Sequence, residues 1–273
     1  MKRTIFILLF GIISTAAFAQ FDILFNFQNP TLLNPASVGS DSAMNVFSVY
    51  QNNSNQFGNQ YHSEKAGFTA PVPKLHGGFG LVASHEWSPS FNGSITNLTG
   101  IYSYHKKTKS NLSFSFALMP ELRINDFDDY SFEKRCQFNV SLAAGLRWKK
   151  FTFGASGYNI INRNFPDNGF KLFAAYNQFQ PGKLLDDKIH FSPMLSAFTF
   201  GGDVYLVASG TLRYKFMQVG ADISSFIYLK SRPDFFFHAG INIGNFSLLY
   251  RYCPDWYRTT INEISLGYRF GKK

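Results

Sequence analysis

Between residues 137 and 158 the chain changes polarity at every step. Phe138, Val140, Leu142, Ala144, Leu146 and Trp148 take every second place, with Asn139, Ser141, Ala143, Gly145 and Arg147 between them. After Lys149-Lys150 the rhythm resumes, with Phe151, Phe153, Ala155 and Gly157 set against Thr152, Gly154, Ser156 and Tyr158. A period of two is the geometry of a strand, so these residues predict a hairpin with one apolar face. The apolar set ends in an aromatic residue, and the opposite set is small, polar and partly charged. Both features fit a membrane strand. In hydrocarbon every backbone N–H and C=O must be paired within the protein, so strands cross a bilayer only as a closed barrel, apolar outward and polar toward a lumen.

Composition is needed at this point to separate strands from helices as the crossing elements. Aromatic residues make up 18% of the chain and charged residues 16%, against about a quarter charged in an ordinary soluble domain. Beyond the N-terminus no unbroken apolar run approaches the ~20 residues that a membrane helix needs. Many aromatics without continuous hydrophobicity are what alternating strands with aromatic girdles require. The first residues have the parts of a secretory signal peptide: Lys2 and Arg3, an apolar stretch over 5–13, and Ala17-Phe18-Ala19 as a cleavage site. The expected division is a signal peptide at 1–19, an N-terminal plug or hatch segment at 20–43 and an outer-membrane β-barrel at 44–273. The formal charge of +9 raises the question of a nucleic-acid partner, but an exported chain does not meet one, and none is expected. Cys136 and Cys253 are too few and too far apart for a disulfide scaffold or a zinc site. On a ring of strands they fall on opposite walls, where only infolded loops could bridge them.

The expectation is an all-β, transmembrane, antiparallel up-and-down barrel of about 14 strands, with an N-terminal segment plugging the lumen. The strands are expected near 44–51, 61–70, 76–87, 93–105, 110–122, 137–149, 150–158, 169–178, 188–200, 203–214, 216–225, 234–244, 245–253 and 260–270. Short or Lys-rich links follow the even-numbered strands, among them Lys106-Lys107-Thr108-Lys109, Lys149-Lys150, Lys215 and Gly244-Asn245. Longer links follow most odd-numbered strands, at 123–135, 158–168 and 224–233. Short turns are periplasmic and long loops external, so both ends of the barrel domain are expected in the periplasm. The link at 181–187 is long for a turn and Gly201-Gly202 is short for a loop, which leaves a slipped strand within 170–205 open. Leu112, Phe114, Phe116 and Leu118 share one outward face, as do Phe235, Phe237, Ala239, Ile241 and Ile243, and Ile264, Leu266, Tyr268 and Phe270. The opposite faces carry Arg147, Arg213, Asp222, His238, Glu263 and Arg269. These are expected in the lumen, because an Arg facing lipid at mid-membrane costs about 2–4 kcal/mol.

Residues 21–41 do not alternate, and Asn29-Pro30 and Asn34-Pro35 are dipeptides that break a ladder. Their mixture of Phe, Leu and Asn suits a segment folded into a polar lumen, with Asn29, Pro30, Asn34 and Pro35 as its marked residues. Little else in the chain suggests chemistry. His62, His76, His85, His105, His190 and His238 show neither HxxxH nor HxH spacing, so no metal site is expected. Asp126, Asp128 and Asp129 lack the Gly and Glu of a calcium loop. Gly77-Gly78-Phe79-Gly80 lacks the Lys and Ser/Thr of a phosphate loop and reads as strand curvature. A hydrolase at the rim would draw on His85, Glu86 and Ser88, but neighbouring strand residues point to opposite faces, which separates His85 from Glu86. The chain is expected to be no enzyme and to need no cofactor.

Four segments stand in order along the chain: NPTLLNPASVGS from Asn29, GGFGLVASHE from Gly77, LTGIYSYH from Leu98 and the closing EISLGYRF from Glu263. Together they resemble the PorP/SprF family of the Bacteroidetes type IX secretion system. The resemblance implies a barrel in the cell outer membrane that works with type IX secretion components in the secretion or surface attachment of a large adhesin-like exported protein, such as a gliding-motility adhesin. Outer-membrane lipid is the other implied partner. The chain departs from the family at 22–27, where a Gln/Tyr-rich run is usual, and in its external loops, and both departures leave the exported partner open. Phe127, Tyr130, Phe165, Trp256 and Tyr257 are candidate contacts in those loops, because aromatic residues concentrate interface energy. A second reading of the same residues is an outer-membrane small-molecule transporter, with the N-terminal segment as a hatch and the lumenal charges along the path.

Overall fold

Strand follows strand in alternating direction through the computed structural model, which describes residues 30–40, 43–55, 60–89, 93–108, 112–127, 135–160, 169–176, 188–200, 203–226, 233–256 and 259–271. The strands are β1 (Met44–Asn55), β2 (Gln60–Val72), β3 (Gly77–Ser88), β4 (Gly93–Lys107), β5 (Leu112–Phe127), β6 (Arg135–Trp148), β7 (Phe151–Tyr158), β8 (Gly169–Tyr176), β9 (His190–Phe200), β10 (Asp203–Tyr214), β11 (Met217–Phe226), β12 (Asp234–Ile243), β13 (Phe246–Trp256) and β14 (Thr259–Phe270). Each pairs with its neighbours in sequence, and β1 pairs with β14 from Met44↔Phe270 to Asn55↔Thr259. That last ladder closes the sheet and leaves no edge strand with unpaired backbone groups.

The expected all-β barrel of about 14 strands is the observed fold, and its strands lie where the alternation put them. The largest differences are at the ends of β1, β5 and β13 that face away from the short links, where pairing runs on to Asn55, Phe127 and Trp256. Asn52-Asn53-Ser54 has no apolar face to read, but a backbone ladder does not need one. The slip left open within 170–205 is not there. Lys171 pairs with Phe198 and Ala175 with Met194, while β9 and β10 pair as far as Phe200↔Asp203. Short links need a left-handed residue to reverse the chain tightly. Lys149 (φ 54°), Lys215 (φ 52°) and Gly244 (φ 58°) supply it, and only the glycine adopts it without steric cost.

Burial shows which medium surrounds the ring. Phe116 and Phe138 are each 58% exposed, whereas Asp222 is 1% and Glu263 2% exposed. A soluble protein has the reverse arrangement. The outward faces expected from sequence are the exposed ones: Phe114 and Leu118, Leu142 and Trp148, Phe235 and Phe237, Leu266 and Phe270. The inward face is less polar than expected. Phe173, Phe198, Tyr205, Val207, Phe236, Cys253 and Ile261 cluster with Leu33, and Phe47, Val49, Val82, Ile101, Ala117, Met119 and Ala143 cluster with Ala36 and Val38. Apolar residues of the segment before β1 therefore have apolar seats inside the ring. Neither Cys136 nor Cys253 is in a disulfide, the first being exposed on β6 and the second buried on β13.

Leu142 projects outward from the middle of β6, 48% exposed. Leu142→Arg is expected to lower the unfolding free energy in lipid vesicles by about 2–4 kcal/mol, measured by urea titration. An unchanged midpoint would mean that Leu142 does not face lipid.

Candidate functional site: the inner wall and the segment before β1

Asn34-Pro35 cannot continue a ladder, and the chain there takes up turns instead: one helical turn at Pro30–Leu33 and a 3-10 turn at Pro35–Ser37. Proline at the first position of a turn loses nothing, since that N–H has no partner within the turn. The Asn34 carbonyl accepts from the Ser37 N–H at 2.8 Å and from Ser37 Oγ at 2.7 Å. The 3-10 turn packs on β4, β5 and β6. Leu33, Asn34, Pro35, Ala36 and Val38 are all buried, and Asn34 Nδ2 reaches the open space beside Gly145.

The segment is fastened at Val38. Ser103 Oγ donates to the Val38 carbonyl, and His105 Nε2 lies 2.7 Å from the same oxygen. A proton on Nε2 makes this a second donated bond. Beside it the two backbones touch: a Cβ added to Gly78 would stand 2.5 Å from the Gly39 Cα and closer still to the Val38 carbonyl oxygen. Gly39 itself has φ 72°. The glycine run that sequence assigned to strand curvature thus admits the N-terminal segment, a role that no local pattern could reveal.

Across the lumen, buried charges meet on β10 to β14. Arg251 Nη2 donates to Asp222 Oδ2 at 2.6 Å, and His238 Nδ1 lies 3.7 Å from that oxygen. His238 Nε2 is 3.1 Å from Thr211 Oγ1. Arg213 donates from Nη1 to Ser192 Oγ at 2.9 Å and from Nε to Gln218 Oε1 at 3.4 Å. Glu263 stands opposite Arg251 in register and accepts from Ser265 Oγ at 3.3 Å. The Arg251 guanidinium also lies over the Phe236 ring, 4.5 Å from its centroid. Such a network holds the inner wall together, since a buried charge is tolerated only when paired and hydrogen-bonded.

The lumenal charges named from sequence therefore divide. Arg213, Asp222 and Glu263 are buried in the network, whereas Arg147 is exposed and Arg269 half-buried, both near the short-link end. Arg251 and Phe236 were missed. Arg251 sits between Tyr250 and Tyr252, and the same alternation that marked Arg213 points it inward; Phe236 is hidden in a run of three phenylalanines.

Of the other candidates, His85 faces outward with Nδ1 2.9 Å from Thr96 Oγ1, Glu86 is buried on the inward face and accepts from Tyr61, and Ser88 Oγ donates to the Gln60 carbonyl. The three groups are not brought together. Asn29, Tyr130, Phe165 and Tyr257, the signal-peptide segment and residues 20–29 lie outside the described residues. Phe127 and Trp256 are placed only as the backbone ends of β5 and β13.

Gly78→Val forces the Val38–Gly39 backbone off the wall. With Ala36→Cys as reporter and both native cysteines replaced by serine, thiol labelling at 36 is expected to accelerate at least about tenfold, the equivalent of roughly 1.4 kcal/mol of lost docking. An unchanged rate would show that the glycine contact does not hold the segment.

Residues 16–268 match the family described as type IX secretion system membrane protein PorP/SprF. No curated protein matches the chain. Among solved structures, mutants of the Rhodopseudomonas blastica porin are similar: one at 9% identity and a triple mutant at 10%, each with a TM-score of 0.42 and with 83% of this chain and 99% of that chain covered. The closure of the barrel is read from its own strand pairing. With a family match over nearly its whole length and a closed ring that is apolar outside, the chain belongs to the PorP/SprF family and is an outer-membrane β-barrel component of the type IX secretion system.

Proposed function

We propose that the protein serves the secretion or surface attachment of a large adhesin-like exported protein, in the manner of a gliding adhesin, and that it does so by binding rather than by catalysis. The observation that carries this reading is the commitment of the inner wall to the protein itself. Arg251 pairs with Asp222, Arg213 is bound by Ser192 and Gln218, and one wall is covered by the turns before β1. Charges already engaged with one another along the wall, as Arg251 is with Asp222, are poorly disposed to hand a solute along a path, which favours a scaffold over a small-molecule transporter. In this reading residues 20–43 form a plug, the strands hold the external loops in place, and the loops select the partner. Phe127, Tyr130, Phe165, Trp256 and Tyr257 are the proposed contacts, while other type IX components and the surrounding lipid complete the setting.

Replacing the five loop aromatics by alanine is expected to leave a folded barrel, seen as heat-modifiable mobility in gels, and to lower the surface-held exported protein at least about tenfold. The exported protein is identified by its loss from the surface when the barrel gene is deleted. Undiminished surface display in the alanine variant would reject these contacts. Rapid solute flux through reconstituted wild-type barrels would favour the transporter.

A further inference from the structure

One sector of the outer wall breaks the apolar rule. On β1 to β4 a row of directly paired, outward-facing residues reads Tyr50, Glu64, His85, Thr96, all exposed. The next row toward the longer-loop end reads Asn52, His62, Trp87, Ser94, and the next toward the short turns reads Ser48, Ala66, Ala83, Leu98. The polar groups are organised. Tyr50 Oη is 3.0 Å from His62 Nδ1, and His62 and His85 both stack on Trp87, with ring centroids 4.9 and 5.4 Å away. Glu64 is exposed and forms no ion pair with any cation among the described residues.

This is no rim above the hydrocarbon. The central row continues to Ile264 on β14 and to Ile124 on β5, both exposed. Barrel strands are tilted, so a row across them runs obliquely and its two ends lie at different depths. Since both ends are apolar, Glu64 lies between two depths that are each faced by hydrocarbon-type side chains. A carboxylate left against lipid there is unfavourable.

The chemistry of the patch selects its occupant. Acyl chains can offer Glu64 nothing, and lipid phosphates repel it. A second copy meeting this one through the same patch could set against Glu64 only the groups of that patch, and its paired rows hold no Lys or Arg. A different protein that brings a cation meets the need, and the small residues Ser48, Ala66 and Ala83 leave a shallow floor for its closely approaching backbone. We propose that the outer face of β1 to β4 around Glu64 is the docking surface for a second, different outer-membrane protein, which sets a Lys or Arg against Glu64. The docking is lateral, within the membrane, and independent of what the external loops hold.

A photo-crosslinking phenylalanine analogue placed at Ala83, with Val219 on β11 as the control site, tests this in intact cells. The expected result is one protein adduct from position 83 and only lipid from 219. Glu64→Lys should abolish the adduct, Glu64→Gln should weaken it at least about fivefold, roughly 1 kcal/mol of binding, and reversing the contacting basic residue of the captured protein to Glu should restore it with Glu64→Lys. Heat-modifiable mobility reports that each variant is folded, and Glu64→Gln carries the test if Glu64→Lys is not. Lipid adducts alone at 83, an adduct with a second copy of this chain, or a protein adduct indifferent to both Glu64 variants would overturn the proposal.

Discussion

A backbone amide in hydrocarbon has no water to turn to, and the rest of this structure follows from that constraint. A strand can enter the bilayer only if both of its neighbours are strands, so the sheet must close, and the Met44↔Phe270 to Asn55↔Thr259 ladder between β1 and β14 closes it. Closure then sorts every side chain by parity. One residue in two meets lipid and the next meets the interior, and a one-residue slip would exchange the two sets. Phe138 outside and Asn139 inside, adjacent in sequence and opposite in burial, are the smallest expression of this sorting.

The interior places demands of its own. Charges excluded from lipid must find partners within a narrow ring, and they do so as a network that runs across strands: Asp222 on β11, His238 on β12 and Arg251 on β13. The opposite inner wall is paired differently. There the strands present Gly78, Ser103 and His105 to the backbone of the segment before β1, and Ala36 and Val38 fill the apolar space between. One side of the barrel is tied by charge and the other by close backbone contact.

Parity was legible in the sequence because it is local: a reader needs only the residue two places on. That is why the strands and their outward faces could be drawn from residues 138–148 or 264–270 alone, and why the even strand number followed. Partnership was not legible. Nothing near Gly77-Gly78 announces that residues 38–39 press against it, since the two stretches meet only after the ring has closed. Arg251 escaped notice because its outward neighbours Tyr250 and Tyr252 draw the eye, and Phe236 because Phe235 and Phe237 mask its parity. His85 and Glu86 show the opposite case, where alternation alone correctly kept two reactive groups apart. The polar outer sector around Glu64 was present in the alternation of β2, but an exposed charge gains meaning only when the row through it is seen to end on Ile264 of β14 and Ile124 of β5.

Phe235, Phe236 and Phe237 offer the most direct measurement, because composition cannot distinguish them and parity must. With the native cysteines replaced, single cysteines at these three positions carry an environment-sensitive fluorophore in vesicles made with brominated lipid. The labels at 235 and 237 should be strongly quenched by the lipid and the label at 236 should not, in keeping with Phe235 and Phe237 exposed on the wall and Phe236 buried within. Equal quenching at all three, or quenching at 236 alone, would contradict a closed ring with hydrocarbon outside and the protein's own side chains within.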